Sequence, residues 1–458
     1  MVPWHKTARL AVGSRALETG ATRGLTEGMK ITVAGAGAMG CRFGAALFEA
    51  GHDVTLLDGW REHVAAINAG GLRVTDAAGT RTLPVTAVLF PGPPVPPSAP
   101  APGASAAAVP GWPTDSARPR AGLAGPAPAA ARDGGPGASA ADLVIVFAKA
   151  TATSAVAAAA VAAGAIGPGT LVLTLQNGLG NVETLLAHVP ADRLLAGTTT
   201  LGTELLGPGH IRALGSGETV LGPVPGHWPP RASTAGVGSV GPPAEQATET
   251  GAAGDAARSN APGAAAGRRA RVTVAGPGPI AADGGPAGRN GADPVGAAER
   301  IALVLYGAGI SVRTTPNALE VIWAKVAFNC VMNSLCSIAS IPVSALARYD
   351  GFDVLASSVL GEVAAIAAAE GVLVDQAAAL RLMRAQFDPS ASGDHLASML
   401  QDLISGRPTE IAHLNGAIAE RAAARGIGAP ANATISALIG LLEATWAARV
   451  SRLHPGQL

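Results

Sequence analysis

The chain lacks a net charge: among its 458 residues, 32 Lys and Arg balance 32 Asp and Glu. A general nucleic-acid binder needs a basic field, so the balance argues against that class. Cysteine is scarce as well. Cys41, Cys330 and Cys336 have neither metal-ligand nor disulfide spacing, so the expectation is no metal, buried thiols and a cytoplasmic location. Hydrophobic residues make up 48% of the chain, but alanine is by far the commonest of them. No run of about 18 strongly apolar residues occurs, so no membrane span and no membrane partner is expected. Lysine is the scarcest charge: only Lys6, Lys30, Lys149 and Lys325 stand among the 32 basic residues. Lysine can lose a proton at accessible pH and arginine cannot. A lysine kept in an arginine-biased chain is therefore a candidate proton donor, which brings Lys149 and Lys325 forward first.

Glycine and proline are abundant, at 60 and 35 residues, and they are clustered. Residues 1–28 show no hydrophobic period and no apolar core of a secretory signal, and read as a disordered N-terminal extension. Met29, directly before a strand pattern, reads as the true start. Two further Ala/Gly/Pro-rich stretches, about 91–140 and 223–296, cannot bury enough apolar surface to offset their chain entropy. Both read as disordered loop insertions. The remainder, roughly 300 residues, suits one α/β domain and one helical domain. Leu143–Phe147 and Leu171–Leu175 read as buried parallel strands around a helix at 151–166. From about 315 the period is helical, with amphipathic stretches at 316–340, 352–370, 373–387, 393–405, 408–426 and 431–448. The expected fold is α/β: a Rossmann-like dinucleotide-binding domain over 29–314 and an all-α substrate and catalytic domain over 315–458.

Residues Gly35-Ala36-Gly37-Ala38-Met39-Gly40 form G-x-G-x-x-G between an apolar strand and a helical pattern at 41–50. The context carries the reading, because glycine is common here. Gly35 allows the tight turn, Gly37 lets backbone approach a pyrophosphate, and Gly40 permits close helix packing. The helix N-terminus offers N–H groups to the phosphates. A second strand, Asp53–Asp58, ends on an acid about 20 residues after the first glycine, where a carboxylate meets a ribose 2′-OH. Asp58 therefore leans towards NAD(H), whereas Arg61 offers a cation for the extra phosphate of NADP(H).

Lys325, Asn329 and Asn333 stand at i, i+4 and i+8, on one face of a helix where their neighbours are mostly apolar. Polar groups set among Val326, Phe328, Val331 and Leu335 cost free energy unless they meet partners, and a ligand-lined cleft supplies them. A lysine against a low-dielectric wall also has its pKa lowered, which suits a general acid at neutral pH.

The Gly turn together with the Lys-x3-Asn-x3-Asn helix resembles the ketopantoate reductase (2-dehydropantoate 2-reductase) family. Further pieces match in order: Lys149 after Val-Ile-Val-Phe-Ala, the Gln176-Asn177-Gly178 turn, Gly197-Thr-Thr-Thr200, Ser398-Met-Leu-Gln-Asp402, Thr409-Glu410-Ile, Leu414-Asn415-Gly416 and Gly426–Asn432. The resemblance implies an NADP(H)-dependent reductase of a small 2-oxo acid, acting alone or as a homodimer, that makes (R)-pantoate from 2-dehydropantoate for pantothenate and coenzyme A synthesis. It assigns Lys325 as catalytic acid and Glu410 as the group that orients it or holds a substrate hydroxyl. It places Asn329, Asn333 and Ser398 on the substrate, Lys149 on the cofactor, and Asn177 between the two. His413 is read as structural. The chain departs from the family after the second strand, where Asp58-Gly-Trp60-Arg61 replaces the usual basic residue, and in the two insertions. A related two-domain dehydrogenase of another 2-oxo or hydroxy acid, or a non-catalytic dinucleotide sensor, remain the competing readings. A sensor would not need the Lys325 face.

Overall fold

The strand–turn–helix–strand unit expected at the start of the ordered sequence is present, and the larger sheet extends from it on both sides. β1 (Lys30–Ala34) leads into α1 (Ala38–Glu49), β2 (Asp53–Asp58) and α2 (Arg61–Gly70). The computed structural model describes residues 28–90, 140–215, 217–226, 228, 293–388 and 396–448. All but the last residue of the extension expected over 1–28, nearly all of the first expected insertion, and residues 227 and 229–292 of the second lie outside the described residues.

After α2 come three strands, β3 (Leu72–Asp76), β4 (Gly79–Leu83) and β5 (Thr86–Leu89). Beyond the first insertion run β6 (Leu143–Val146), α3 (Thr153–Ala162), β7 (Leu171–Thr174), α4 (Asn181–Leu186) and β8 (Leu194–Thr199). The strands β9 (Gly202–Gly207), β10 (His210–Leu214) and β11 (Thr219–Pro223) follow, then α5 (Pro294–Gly307) and β12 (Val312–Thr314). Eight strands form one sheet in the order β12-β11-β8-β7-β6-β1-β2-β5. All its pairs are parallel except β11 against β8. β6 and β7 are buried at every position, as expected of parallel strands covered on both faces. A smaller sheet, β4-β3-β10-β9, lies apart from it in pairing.

The second insertion is shorter than expected. Pro223 closes β11 and pairs with Leu195, Val224 is buried, and Asp293 caps α5 by accepting from Gly296 N at 2.9 Å. An N-terminal Pro with an Asp cap is a local helix start, which composition alone concealed.

The helical domain comprises α6 (Ala318–Ala339), α7 (Phe352–Ala369), α8 (Gln376–Ala385), α9 (Ser398–Ile404), α10 (Asn415–Ala423) and α11 (Pro430–Ala444). Asn317 starts α6 by accepting from Leu319 N at 3.1 Å. The expected helix over 408–426 is broken. A 3₁₀ turn, Ile411–His413, comes first, Leu414 leaves helical geometry at φ −113° and ψ −108°, and α10 follows. α6 and α7 are long and apolar enough to cross a bilayer by length and composition. In α6, however, 67% of the most apolar window is buried inside the protein. Trp323, Val326 and Cys330 of α6 share one apolar core with Leu194 of β8, Leu179 and Leu414. α6 thus joins the two domains and carries its polar face to the ends of the parallel strands.

Candidate active site

Chain order reverses at β1: β2 and β5 lie on one side, β6, β7 and β8 on the other. In such sheets ligands bind beyond the carboxyl ends of the strands at this reversal. The Gly turn occupies that place. Gly35 has φ +98°, and a Cβ there would lie 2.3 Å from Ala148 N in the loop after β6. A Cβ on Gly40 would lie 2.0 Å from Gly35 O, so α1 packs directly on the turn. Gly37, by contrast, meets nothing within 4 Å and is exposed. No side chain caps α1 and its first turn holds no acid, so its N–H groups are open to an anion. Ala36 is buried, and Ala38 and Met39 are half-buried behind the turn. These residues fit the pyrophosphate of a dinucleotide.

Asp58 ends β2 half-buried, with Oδ1 accepting from Trp60 N at 2.8 Å. Arg61 is exposed at the start of α2. The Trp60 ring stacks on His63 with centroids 5.0 Å apart. Buried His63 accepts from Gly209 N at Nδ1, 3.0 Å, so its Nε2 carries the hydrogen and faces Cys41 Sγ at 3.4 Å. Cys41 in turn donates to Ala36 O at 2.9 Å. Burial lowers the His63 pKa against the pull of Asp58, while burial, then Asp58, raises that of Cys41. A chain of contacts thus ties Asp58 to the Gly turn. Sequence reasoning passes over His63 and Trp60. The one signal for them is a histidine on the apolar face of α2, just past Asp58.

The polar face of α6 lies at the other side of the cleft. Lys325 Nζ donates to Thr199 O, the last residue of β8, over a long 3.4 Å. Burial lowers its pKa. Among the described residues no carboxylate offsets that effect, and Glu410 is not paired with Lys325. One turn on, Asn329 is 3% exposed and its Nδ2 has no hydrogen-bond partner among the described residues. A further turn on, Asn333 Nδ2 donates to Ser398 Oγ of α9 at 3.4 Å. Lys325, Asn329 and Asn333 are therefore on one face, and Ser398 is drawn to its end.

Glu410 is placed elsewhere. Its Oε1 accepts from Ala150 N at 3.3 Å, and its charge acts on Lys149. Lys149 Nζ lies 2.6 Å from Asp402 Oδ2, and Asp402 also accepts from Arg407 at 3.1 Å. Burial opposes the Lys149 charge, but Glu410 and Asp402 outweigh it and the pKa is raised. Asp402 is 5% exposed and one turn after Ser398, in a sequence motif that gives it no role of its own. Its i, i+4 spacing from Ser398 is the signal that could have found it.

Asn177 sits in the turn after β7, which buried amides and hydroxyls brace from within. Gln176 Nε2 donates to Ala148 O at 2.7 Å and to Thr153 Oγ1 at 2.8 Å, and Asn181 Nδ2 donates to Asn177 O at 2.9 Å. The carboxyl ends of β6, β7 and β8 thus present Lys149, Asn177 and Thr199 side by side.

Comparison with known proteins agrees with this arrangement. Residues 31–226 match the family model described as Ketopantoate reductase PanE/ApbA, and residues 317–443 match the model of its C-terminal part. The 2-dehydropantoate 2-reductase of Halobacterium salinarum (strain ATCC 700922 / JCM 11081 / NRC-1) is 28% identical over 418 residues, 91% of this chain and 99% of the relative. That of Lactococcus lactis subsp. lactis (strain IL1403) is 25% identical over 403 residues, 88% of this chain and 94% of the relative. Among solved structures, a PanE/ApbA family ketopantoate reductase from Ralstonia eutropha JMP134 matches with a TM-score of 0.59 at 26% identity, covering 92% of this chain and 100% of the other. D-mandelate dehydrogenase in its ternary structure with NADH and anilino(oxo)acetate matches with a TM-score of 0.65 at 24% identity, covering 92% and 99%. That likeness shows the shared fold.

Proposed function

The chain belongs to the ketopantoate reductase family and is an NAD(P)H-dependent oxidoreductase, and from that premise we propose that it reduces 2-dehydropantoate to (R)-pantoate, in the cytoplasm, with Lys325 as general acid. The product then feeds pantothenate and coenzyme A synthesis. The bound nicotinamide supplies the hydride. The chain's own residues supply the rest. Negative charge builds on the ketone oxygen of the substrate during reduction, and Lys325 Nζ gives that oxygen a proton and stabilises its charge before transfer is complete. Burial lowers the lysine pKa, which makes the proton easier to give near neutral pH. Asn329, Asn333 and Ser398 donate to the carboxylate and hydroxyl oxygens of the acid. Neutral donors fix its orientation without another charge near Lys325. Asn177, Lys149 and the Gly turn hold the cofactor side.

One observation carries this reading. A lysine and an asparagine whose buried amide nitrogen has no partner among the described residues lie one turn apart on a largely apolar helix that faces the carboxyl ends of the sheet. Such groups are costly to bury unless a polar ligand meets them. Glu410 supports Lys149 or a substrate hydroxyl, since Ala150 N and Lys149 are what it meets.

For the cofactor, the family resemblance implies NADP(H). The half-buried Asp58 carboxylate, fixed by Trp60 N at the end of β2, favours NADH here, because it receives a ribose 2′-OH and repels a 2′-phosphate. Steady-state kinetics of Lys325→Ala test the assignment. The reading expects kcat to fall roughly 10²–10⁴-fold, the scale of a lost general acid, with cofactor affinity kept. Near wild-type turnover removes Lys325 from the chemistry.

A further inference from the structure

We propose that His413 is a positioning residue that holds the Asn177 turn against the segment bearing Glu410, so that the cofactor-side and substrate-side halves of the cleft are set by one histidine. The proposal rests on the function proposed above, which places Asn177 and Glu410 in the site.

The turn from Gln176 to Gly180 has two sides. Its inner side is braced within its own domain by Gln176 and Asn181. Its outer side lies on the 3₁₀ turn Ile411–His413. Leu179 N donates to His413 O at 2.8 Å, and His413 Nδ1 lies 3.0 Å from Leu179 O. A carbonyl can only accept, so Nδ1 carries the hydrogen. One residue therefore grips both the N–H and the C=O of Leu179, two positions past Asn177. Contact is close as well as polar: a Cβ on Gly178 would lie 2.6 Å from His413 O and 2.8 Å from His413 Cβ. Gly178 and Gly180 both have left-handed φ, +85° and +95°, a backbone that needs outside contacts to hold one shape.

At its other end the same 3₁₀ turn is tied to the acid. His413 N donates to Glu410 O at 2.9 Å, and Glu410 reaches Ala150 after β6. The broken helix at Leu414 now has a physical reason. A continuous helix would bury His413 O in its own hydrogen-bond ladder, whereas the 3₁₀ turn frees it to accept from Leu179. A backbone pair alone would permit the turn to pivot about one hydrogen bond. The imidazole adds the second point that fixes its angle, and with it the direction of the Asn177 side chain.

The test uses the full-length enzyme in a double-mutant cycle, with kcat and KM for the 2-oxo acid and thermal unfolding measured for each protein. His413→Phe keeps the ring volume and removes the donor, while His413→Asn keeps a side-chain N–H at the same reach. The proposal expects His413→Phe to lose about tenfold in kcat/KM, the worth of one hydrogen bond, and His413→Asn to recover to within about threefold of wild type. In the Asn177→Ala background, His413→Phe should cost almost nothing more, because the side chain that it aims is gone. Losses that multiply in the double variant, or a His413→Phe enzyme with wild-type kinetics, overturn the proposal and leave the proposed function standing. A wild-type protein that turns over no 2-oxo acid, or an Asn177→Ala variant with unchanged kinetics, overturns both.

Discussion

The Lys149 ammonium lies 2.6 Å from the Asp402 carboxylate, across 253 residues of chain, and joins the loop after β6 to α9. Lys149 is proposed on the cofactor side and stands just past the carboxyl end of β6. The contact adds that the helical domain supplies the counter-charge. Lys149 is 48% exposed and Asp402 keeps Arg407, so Lys149→Ala should cost less than about 1 kcal/mol in urea unfolding. The KM for the cofactor should rise clearly. The sign in pH follows from the raised pKa: the pair contributes fully below the ordinary lysine value of about 10, and its contribution fades as pH rises through the higher folded value. A stability loss of several kcal/mol with unchanged cofactor kinetics would make Lys149 a structural residue.

Asp58 should govern cofactor choice. Asp58→Ala removes one charge beside the ribose, a repulsion of about 1–3 kcal/mol near a surface. The ratio of kcat/KM for NADPH over NADH should therefore rise roughly tenfold to a hundredfold. An unchanged ratio would move the choice to Arg61 and its surroundings.

Lys325 should shape the rate profile. A general acid must be protonated to act, so kcat is flat below its pKa and falls above it. Burial lowers that pKa, so the fall should come at lower pH than an ordinary lysine titrates. A Lys325→Arg variant should lose both the activity and the inflection, because arginine does not release its proton. Retention of the inflection in that variant would assign it to another group.

Arg421 should be a stability residue. Its side chain is 5% exposed and lies between Glu183 of α4 at 2.5 Å and Glu370 at the end of α7 at 2.7 Å. Burial works against its charge, but the two carboxylates outweigh this and its pKa is raised. Arg421→Ala leaves buried Glu183 without its cation, while Glu370 keeps Arg425 at 2.8 Å, and should cost about 3–5 kcal/mol in urea unfolding. A loss below about 1 kcal/mol would mean that water reaches the cluster.

What is legible in the sequence depends on how far apart in the chain the partners lie. Gly35, Gly37 and Gly40 are legible because strand, turn and helix are consecutive, and the distances at Gly35 and Gly40 bear out the close packing that those two need. Lys325, Asn329 and Asn333 are legible because a helix converts spacing of four into one face. Glu410 is legible as a motif residue but not by its partner: it meets Ala150 across 260 residues. Arg421 meets Glu183 across 238, and nothing local distinguishes it from other arginines in an arginine-rich chain. Composition carries the expected second insertion too far at its end, since Asp293 and Pro294 are loop residues by type and helix-starting residues by position. His413 reads as structural because its proximity to Glu410 is visible in the sequence and its grip on Leu179 is not.

The most direct test of the account is turnover by the purified full-length protein with 2-dehydropantoate, followed by loss of reduced-nicotinamide absorbance with NADH and with NADPH in parallel. The account predicts reduction with kcat/KM above about 10⁴ M⁻¹s⁻¹, the lower range of ordinary enzymes, and faster with NADH. Binding of either cofactor without turnover of this substrate would contradict it and direct the search to other 2-oxo acids.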